Sequence, residues 1–462
     1  MKIIAAFFMI LVMASCQRTE EIDFKSYGKV DYHLSAEQEA MLDSIQQQTF
    51  QFFMDKHHPQ WGIVKDRAAD WSPSSIASTG FALPVFAIGA ERGWIIREKA
   101  AQITLNTLNF FFNSTQSPDT NATGYKGFYY HFLSMETGTR VWECELSTID
   151  TGLLMMGVIF SRNYYNLDNE VEENIRELSG SLLERLDWNF FDMPAGSSHP
   201  HTISMGWKPE DGMINWGWFG YNEALFLYIL AAGTGMENVE RSYDAWLETY
   251  TWKTPYEGLS HVAFPPLFGH QFSHTFIDFR GLTDEFMRER GIDYFENSRR
   301  ATLTQQQYAI ENSYGWKGYG EFFWGVTASD GPGEAYNFGD KKFLGYAGRG
   351  AAGPDYNYFD DGTIAPYGVL SSLPFAPRIV LPTIQYMLEN FGDRIWGEYG
   401  FYDAFNLTAN WVNDDFIGIA QGPMLIMIEN FRTGLVWDYV MPDPVIQKGL
   451  KKLGFERQDI YY

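Results

Sequence analysis

The sequence has 462 residues, of which 45% are hydrophobic and 20% are charged, so an intrinsically disordered chain is excluded. Its net charge of −24 at pH 7 argues against nucleic acid, anionic lipid surfaces and uronate-rich polymers as partners. Aromatic residues make up 17% of the chain, which is more than a core requires and favours a ring-lined groove for a neutral ligand such as a sugar.

The N-terminal residues predict export. Lys2 precedes an apolar stretch that is too short to span a membrane as an ordinary helix, and small residues precede Cys16. This order resembles a bacterial lipoprotein signal, and the acidic residues after it resemble the export tag of Bacteroidetes surface lipoproteins. We therefore expect a signal peptide at 1–15, lipid on Cys16, a tether at 16–35 and attachment to the outer membrane, on its periplasmic face or at the cell surface. A plain secretory signal cleaved nearby is the alternative.

The rest of the chain shows apolar residues at helical spacing. The segments predicted as helices are 36–56, 77–92, 96–113, 148–165, 170–187, 221–233, 239–251, 275–290, 296–312, 363–373, 378–391, 413–431 and 442–453. Because no linker interrupts these segments, we expect one domain at 36–462. Long connectors rich in glycine and aromatic residues alternate with short ones, which favours an all-α (α/α)6 toroid, a double ring of about twelve helices with long loops and small β-hairpins at one end.

The stretch ECELSTIDTGLLMMG places two carboxylates ahead of an apolar helix. Asp150 follows Ser147 at the spacing of a capping box, so helix capping accounts for Asp150 as well as catalysis does. Glu145 has no such role, and an exposed loop acid is its alternative.

Glu223 stands in the first turn of the helix predicted within WFGYNEALFLYIL. The helix dipole favours an acid at this position, which is the structural alternative. The preceding rings of Trp216, Trp218 and Tyr221 form an apolar neighbourhood that would raise the pKa of the Glu223 carboxyl. A raised pKa is what a general acid requires.

Three more acids lie in or beside aromatic segments: Asp330, Asp403 and Asp415. Turn formation or helix capping is the alternative for each of them. If the helix starts converge at one end of a toroid, all of these acids face one aromatic pit. Most glycoside hydrolases need one protonated and one ionised carboxyl group, so the pattern predicts glycoside hydrolysis.

Other chemistries receive less support. His270 and His274 have the i,i+4 spacing of metal ligands on a helix, but the sequence lacks the glutamate of an HExxH motif, so packed histidines are favoured. With Cys16 lipidated, Cys144 is left without a disulfide partner, and a buried unreactive thiol is expected. The sequence contains no Walker loop and no GxSxG motif. We therefore expect no metal and no cofactor.

Six ordered motifs resemble one bacterial family. They are ECELSTIDTGLLMMG, GYNEALFLYILAAG, FFWGVTASDGPG, DDGTIAPYGVLSSLPFAP, YGFYDAFN and FIGIAQGPMLIMIENFRTG. The family is the bacterial putative-glucoamylase family that includes the β-1,2-glucanases of glycoside hydrolase family 144, and the resemblance runs from about residue 40 to 455. It implies an (α/α)6 barrel that hydrolyses β-1,2-glucan or sophoro-oligosaccharides with inversion and without a required metal.

The resemblance also implies individual roles. Glu223 would be the general acid and Glu145 would position or deprotonate water, with Asp150 in support, and the first two roles could be reversed. An inverting enzyme holds its pair roughly 6.5–9.5 Å apart. The residues expected to bind substrate are Trp142, Trp216, Trp218, Trp324, Asp330, Tyr336, Tyr367, Asp403, Trp411 and Asp415.

Two other functions compete with hydrolysis. A non-catalytic glycan-binding surface lipoprotein would need the rings but no paired acids. A toroidal polysaccharide lyase would favour a basic pocket, which the acidic balance disfavours. The expected partner is a neutral glucan or oligosaccharide, with no nucleic acid, with membrane contact only through a lipid anchor at Cys16, and with the protein as a monomer.

Overall fold

Helices dominate the part of the chain that the computed structural model describes, residues 24–353 and 358–458. The fifteen helices there are α1 Ala36–Lys56, α2 Ile76–Glu91, α3 Arg97–Asn113, α4 Thr148–Tyr164, α5 Glu170–Glu184, α6 Leu225–Thr234, α7 Val239–Leu247, α8 Phe272–Phe276, α9 Glu285–Arg288, α10 Tyr294–Glu311, α11 Pro366–Leu370, α12 Pro377–Ile395, α13 Gly418–Arg432, α14 Leu435–Val440 and α15 Pro444–Lys452. The prediction of a helix-rich protein is confirmed.

Short strands of two or three residues connect the helices. They are β1 Ser74–Ser75, β2 Gly124–Tyr125, β3 Phe128–Tyr130, β4 Phe132–Leu133, β5 Leu146–Ser147, β6 Gly206–Lys208, β7 Gly212–Met213, β8 Trp252–Lys253, β9 His261–Val262, β10 Leu282–Thr283, β11 Ala328–Ser329, β12 Asn337–Phe338, β13 Lys341–Lys342, β14 Ala347–Gly348, β15 Trp396–Gly397, β16 Gly400–Phe401, β17 Phe405–Asn406, β18 Trp411–Val412 and β19 Glu456–Arg457. Five of them form one antiparallel sheet in the order β2-β3-β5-β6-β7. This sheet contains the β5 segment that leads into α4.

The predicted helix at 275–290 is wrong. The chain there forms α8, β10 and α9 instead. Between α8 and β10, the buried carboxylate of Asp278 accepts hydrogen bonds from the Arg280 side chain and from the Tyr27 backbone N–H. Gly281 then adopts φ of +68°, which a right-handed helix cannot accommodate.

Helix α2 is buried on nearly all of its faces, because it packs against both α4 and α13. Its close approach to α4 depends on two glycines. A Cβ added to Gly157 would lie 2.2 Å from the carbonyl oxygen of Gly80, so no side chain fits between these backbones. The packing fixes the starts of α2 and α4 side by side.

Four helix starts supply the wall of one cavity. Ser75 precedes α2, Asp150 lies in the first turn of α4, Glu223 precedes α6, and Ile419 lies in the first turn of α13; all four residues line the same cavity. The described fold therefore gathers these four helix starts around one cavity.

Residues 24–35 lie against the body of the protein. Phe24 is buried, its N–H donates to Gln447 Oε1 at 3.2 Å, and Gln447 Nε2 donates to the Phe24 carbonyl at 2.7 Å. The tether at 16–35 remains a prediction; of its described residues, Phe24 packs against α15. The predicted signal peptide at 1–15 and Cys16 lie outside the described residues. Among the residues that are described, the helices are too short or too polar to cross a lipid bilayer.

Candidate active site

The cavity at the helix starts has a volume of about 550 Å³ and combines carboxylates with aromatic rings. Its polar lining includes Asp66, Arg67, His131, Glu145, Asp150 and Glu223, and its aromatic lining includes Trp71, Phe132, Trp142, Trp218, Tyr346 and Tyr367. The three acids predicted to be catalytic therefore meet in one place, although more than 70 residues separate Asp150 from Glu223 in the sequence. A cavity of this size and composition is typical of a small-molecule or oligosaccharide site.

Glu145 lies just before β5 and is held by His131. The Glu145 carbonyl accepts a hydrogen bond from the His131 backbone N–H at 3.0 Å, and Glu145 Oε1 lies 2.9 Å from His131 Nδ1. Burial works to raise the pKa of the Glu145 carboxyl, but the hydrogen bond and charge of His131 hold the pKa below its ordinary value. Glu145 is therefore an ionised carboxylate at neutral pH.

Asp150 lies in the first turn of α4, where it contacts the helix cap and also lines the cavity. Ser147 caps the helix by accepting from the Asp150 N–H at 3.2 Å, and the Ser147 hydroxyl donates to Asp150 Oδ2 at 2.6 Å. The same Oδ2 lies 3.6 Å from His131 Nδ1. Burial raises the pKa of Asp150, and the charge of His131 counteracts the rise. The residue supports the helix start and faces the site at the same time.

His131 is the cation at the centre of this group. Burial works to lower its pKa, but Asp150, Glu145 and Asp66 raise it to about 9. The imidazolium form is therefore the one present at neutral pH. Candidate ligand atoms of His131, Glu145 and Asp150 all lie within 4.8 Å of one another, a spacing that would also suit a metal ion. In this structure, two of these ligand atoms, His131 Nδ1 and Glu145 Oε1, form a hydrogen-bonded ion pair with each other.

Glu223 differs from Glu145 in its electrostatic environment. It lies in the turn before α6, where its carbonyl accepts from the Ser273 hydroxyl at 2.8 Å and where Asn222 Oδ1 accepts from the Ala224 N–H at 2.9 Å. Burial raises the pKa of the Glu223 carboxyl to about 7, and the negative charge of Asp150 adds to the rise. One cavity thus contains one carboxyl group that holds its proton near neutral pH and one that does not.

The acids at 330, 403 and 415 form a network beside the cavity. The Asp330 N–H donates to Asp403 Oδ2 at 2.7 Å, while Arg67 Nη1 donates to Asp330 Oδ2 at 3.0 Å and to Asp415 Oδ2 at 3.4 Å. Burial, and then the charge of Asp330, raise the pKa of Asp403 to about 8. Of these groups, Arg67 lines the cavity itself. Asp415 lines a second, neighbouring cavity.

The aromatic residues predicted to bind substrate divide into three groups. Trp142, Trp218 and Tyr367 line the cavity, and the last two are fixed by hydrogen bonds from Trp218 Nε1 to Thr148 Oγ1 at 3.0 Å and from Tyr367 Oη to the Ala328 carbonyl at 2.6 Å.

Trp216, Tyr336 and Trp411 lie elsewhere among the described residues. Trp216 packs on His199 and Phe219 at the surface, Tyr336 is exposed in a loop, and Trp411 is half-buried in β18. None of the three is part of the cavity lining.

The prediction for Trp324 is wrong. Its side chain is fully buried, and its Nε1 donates to Thr383 Oγ1 at 3.0 Å. A ring without exposed surface cannot stack on a sugar, so Trp324 is a core residue.

The two histidines at metal-like spacing are structural. His270 and His274 are buried; His270 Nε2 pairs with the Phe264 carbonyl at 3.0 Å and His274 Nε2 with Ser298 Oγ at 3.0 Å. Burial lowers the pKa of His274 to about 3. Cys144 is also buried, as expected, and burial raises the pKa of its thiol to about 11.

Comparisons with known proteins identify the family. A family model described as Putative glucoamylase matches residues 215–444. The solved structure of a putative glucoamylase from Bacteroides uniformis is 33% identical in sequence, with 92% of this chain and 99% of that chain covered and a TM-score of 0.79. The chain belongs to the Putative glucoamylase family.

Two further proteins that are similar to this chain have names that state an activity. An exo β-1,2-glucooligosaccharide sophorohydrolase (non-reducing end) from Parabacteroides distasonis is 28% identical over 468 residues, which cover 94% of this chain and 60% of that protein. The chain thus spans less than two thirds of that relative. An endo-β-1,2-glucanase from Chitinophaga pinensis, solved with sophorotriose and glucose, is 27% identical, with 92% and 99% of the two chains covered and a TM-score of 0.77.

Six of the lining residues named above were missed in the sequence: Asp66, Arg67, Trp71, His131, Phe132 and Tyr346. Five of them lie in two connecting segments, VKDRAADW before α2 and the FYYHFL segment of β3 and β4, and Tyr346 lies between β13 and β14. His131, which aromatic residues enclose in FYYHFL, carried a signal that it is buried with a partner but none that identifies the partner.

Proposed function

We propose that this member of the Putative glucoamylase family is a glycoside hydrolase that cleaves β-1,2-glucan or sophoro-oligosaccharides. The observation that carries the proposal is the pair of acids in one ring-lined cavity, with the pKa of Glu223 raised to about 7 and that of Glu145 lowered. Acids with pKa values moved in opposite directions are the usual requirement for acid–base cleavage of a glycosidic bond. The named activities of the two relatives supply the linkage.

Glu223 is assigned as the general acid. Its carboxyl group keeps a proton near neutral pH because burial and the charge of Asp150 oppose ionisation. In the reaction it donates that proton to the glycosidic oxygen as the bond to the anomeric carbon breaks. Trp218 and Tyr367 line the same cavity, and burial is the main cause of the raised pKa of Glu223.

Glu145 is assigned as the group that orients and deprotonates the attacking water. Oε1 accepts from His131, and we assign Oε2 to the water. Asp150 supports this step because it shares the His131 cation, which keeps the local negative charge from accumulating. Attack on the face opposite the leaving group inverts the anomeric configuration, for which a separation of roughly 6.5–9.5 Å between the acids is expected.

A neutral substrate fits the electrostatics of the site. Four acids, Arg67 and His131 line the cavity, and the whole chain carries a net charge of −24. A uronate would be repelled, whereas glucose hydroxyls can donate to carboxylates and the apolar faces of the ring can pack on indoles. The substrate class is therefore a glucan without acidic groups.

We further infer that the helices form an (α/α)6 toroid and that 36–462 is one domain. In support, α2, α4 and α13 pack together, while α3 packs on α2 and α5 packs on α4 in the manner of an outer ring. We also propose the signal peptide at 1–15, lipid on Cys16 and attachment to the outer membrane as a monomer. In support of this attachment, the N–H of Phe24, the first described residue, donates to Gln447 in α15. Helix α15 contributes no residue to the cavity lining, so the N-terminal segment leaves the cavity accessible there.

A panel of linear glucans tests the proposed function. The purified protein should release oligosaccharides from β-1,2-glucan and leave β-1,3-, β-1,4- and β-1,6-glucans intact, as followed by product size over time. Glu223→Gln should abolish hydrolysis while β-1,2-glucan binding, measured by calorimetry, is retained. Glu170→Gln, at an exposed position at the start of α5, is the matched control. Binding without hydrolysis by the unaltered protein would instead support the glycan-binding alternative.

A further inference from the structure

The turn at 141–144 has a backbone that is unusual for its sequence. The Cys144 N–H donates to the Val141 carbonyl at 3.2 Å, and both central residues have positive φ, +58° at Trp142 and +49° at Glu143. Turns with this backbone ordinarily contain Asn-Gly, because a residue with a Cβ is strained there. A bulky aromatic residue in this conformation is an outlier that calls for a functional explanation.

Neighbouring side chains hold this turn in place. Arg140 Nε donates to the Cys144 carbonyl at 2.6 Å, and the Arg140 guanidinium binds both carboxylate oxygens of Glu210, at 2.7 and 2.9 Å. The result is that Trp142 stands at the cavity wall with 59% of its surface exposed. Since the ring is exposed and its backbone strained, stability of the fold does not explain why a tryptophan occupies this position.

Trp142 is connected to the reacting groups by ring contacts. Its ring centroid lies 5.1 Å from that of Phe132, and Phe132 stacks on His131 with centroids 3.9 Å apart. His131 in turn binds Glu145. A sugar packed on Trp142 would therefore lie just outside the reacting region.

A second exposed indole lies beside the first. Trp71 is 67% exposed, and its ring centroid is 6.1 Å from that of Trp142, with 45° between the planes. The loop that carries it is held by Lys65 Nζ, which donates to the Ala69 and Asp70 carbonyls at 3.2 and 2.8 Å. Trp71 is thus presented by a fixed loop rather than by the core.

Trp71 also borders the second cavity, which has a volume of about 570 Å³. The two cavities share Trp71 and Arg67, so they adjoin at these residues. The remaining lining of the second cavity is rich in donors and acceptors and includes Lys56, Asp70, Glu398, Asn413, Asp414 and Asp415. Such a surface suits the hydroxyl groups of a sugar chain more than an apolar ligand.

We propose that Trp71 and Trp142 form an outer glucose-binding subsite, and that the second cavity receives the next units of a longer glucan. The inference rests on the proposed function and adds to it a determinant of chain-length preference. The indole faces pack on the C–H faces of a glucose ring, and the polar groups beyond Trp71 bind its hydroxyls. Short substrates bind at the reacting groups of the first cavity without reaching these two indoles, whereas long ones extend over the indoles into the second cavity.

Trp71→Ala and Trp142→Ala test the subsite against a series of β-1,2-gluco-oligosaccharides of increasing length and the polymer. On the polymer, kcat/KM should fall roughly tenfold, mainly through KM, and on the shortest substrate that is cleaved it should fall by a clearly smaller factor. Tyr27→Ala is the matched control, because Tyr27 is 52% exposed but is not among the residues that line either cavity. Its kinetics should match those of the unaltered protein at every length.

The outcomes separate the two proposals. If the unaltered protein cleaves no β-1,2-glucan of any length, the proposed function fails, and the subsite fails with it. If the unaltered protein is active but the tryptophan variants lose the same fraction of activity on short and long substrates, or lose none, the outer subsite alone is refuted.

Discussion

His131 Nδ1 lies 2.9 Å from Glu145 Oε1, and this contact decides the charge of both side chains. Burial opposes the imidazolium, but Asp150 and Glu145 raise the pKa of His131 to about 9. The cation in turn holds the pKa of Glu145 below its ordinary value in spite of burial. The ion pair keeps the carboxyl group of Glu145, the assigned base, ionised although a second acid, Asp150, is buried beside the same histidine.

His131→Asn should move the acidic limb of the pH profile of kcat/KM to higher pH. The base must be ionised, and without the cation the pKa of Glu145 rises, so activity is lost earlier as the pH falls. His58→Asn, at a histidine outside the cavity lining, should leave the limb in place. An unchanged acidic limb in His131→Asn would show that His131 does not control the base.

Glu223→Gln should stabilise the protein at about pH 8 and have little effect at about pH 4. The pKa of Glu223 is about 7 in the folded protein against an ordinary value of 4.5, so its stabilising contribution is complete below the lower value and is lost as the pH rises through the higher one. The amide of the variant cannot ionise, so the variant avoids this loss of folding stability at high pH, which is at most about 3 kcal/mol. Chemical denaturation at both pH values measures it. A variant less stable than the unaltered protein at the higher pH would contradict the buried, protonated acid.

Trp142→Gly should melt at a higher temperature than Trp142→Ala. Both variants lose the same ring, but only glycine adopts φ near +58° without strain. The expected difference is about 1 kcal/mol in the free energy of unfolding. Equal melting temperatures in thermal denaturation would mean that the turn relaxes once the ring is removed.

Trp324→Ala should cost about 3–5 kcal/mol in the free energy of unfolding, because a fully buried ring is removed and the Thr383 hydroxyl loses its partner. Trp216→Ala, at a ring that is 46% exposed, should cost less than about 1 kcal/mol. Urea denaturation of the two variants makes the comparison. Similar losses would contradict the assignment of Trp324 to the core.

Some helices could be predicted from the sequence because local signals coincide with the packing. Helix α1 begins where predicted, at a capping box between Ser35 and Gln38. Helix α4 follows the Ser147 cap and continues through an apolar run. The predicted helix at 275–290 failed because the apolar spacing there belongs to three short elements, which are separated by the contacts of Asp278 with distant residues. No local pattern reports those contacts.

The site was predictable to the extent that its residues precede helices. Glu145, Asp150 and Glu223 could be placed together because each lies at or just before the start of a helix, and these helix starts line one cavity. His131 could not, because a single histidine between short strands has no spacing that indicates a partner. The ring of Trp324 was misplaced for a related reason: an aromatic loop sequence does not show whether a ring faces the core or a cavity.

The central claim is that Glu223 supplies the proton to the leaving group. The most direct test compares hydrolysis of β-1,2-glucan with that of a dinitrophenyl sophoroside, whose leaving group needs no protonation. Glu223→Gln should slow the glucan reaction by about 10²–10⁴-fold but slow the dinitrophenyl reaction far less. Equal losses on both substrates, or undiminished turnover of the glucan, would contradict the assignment.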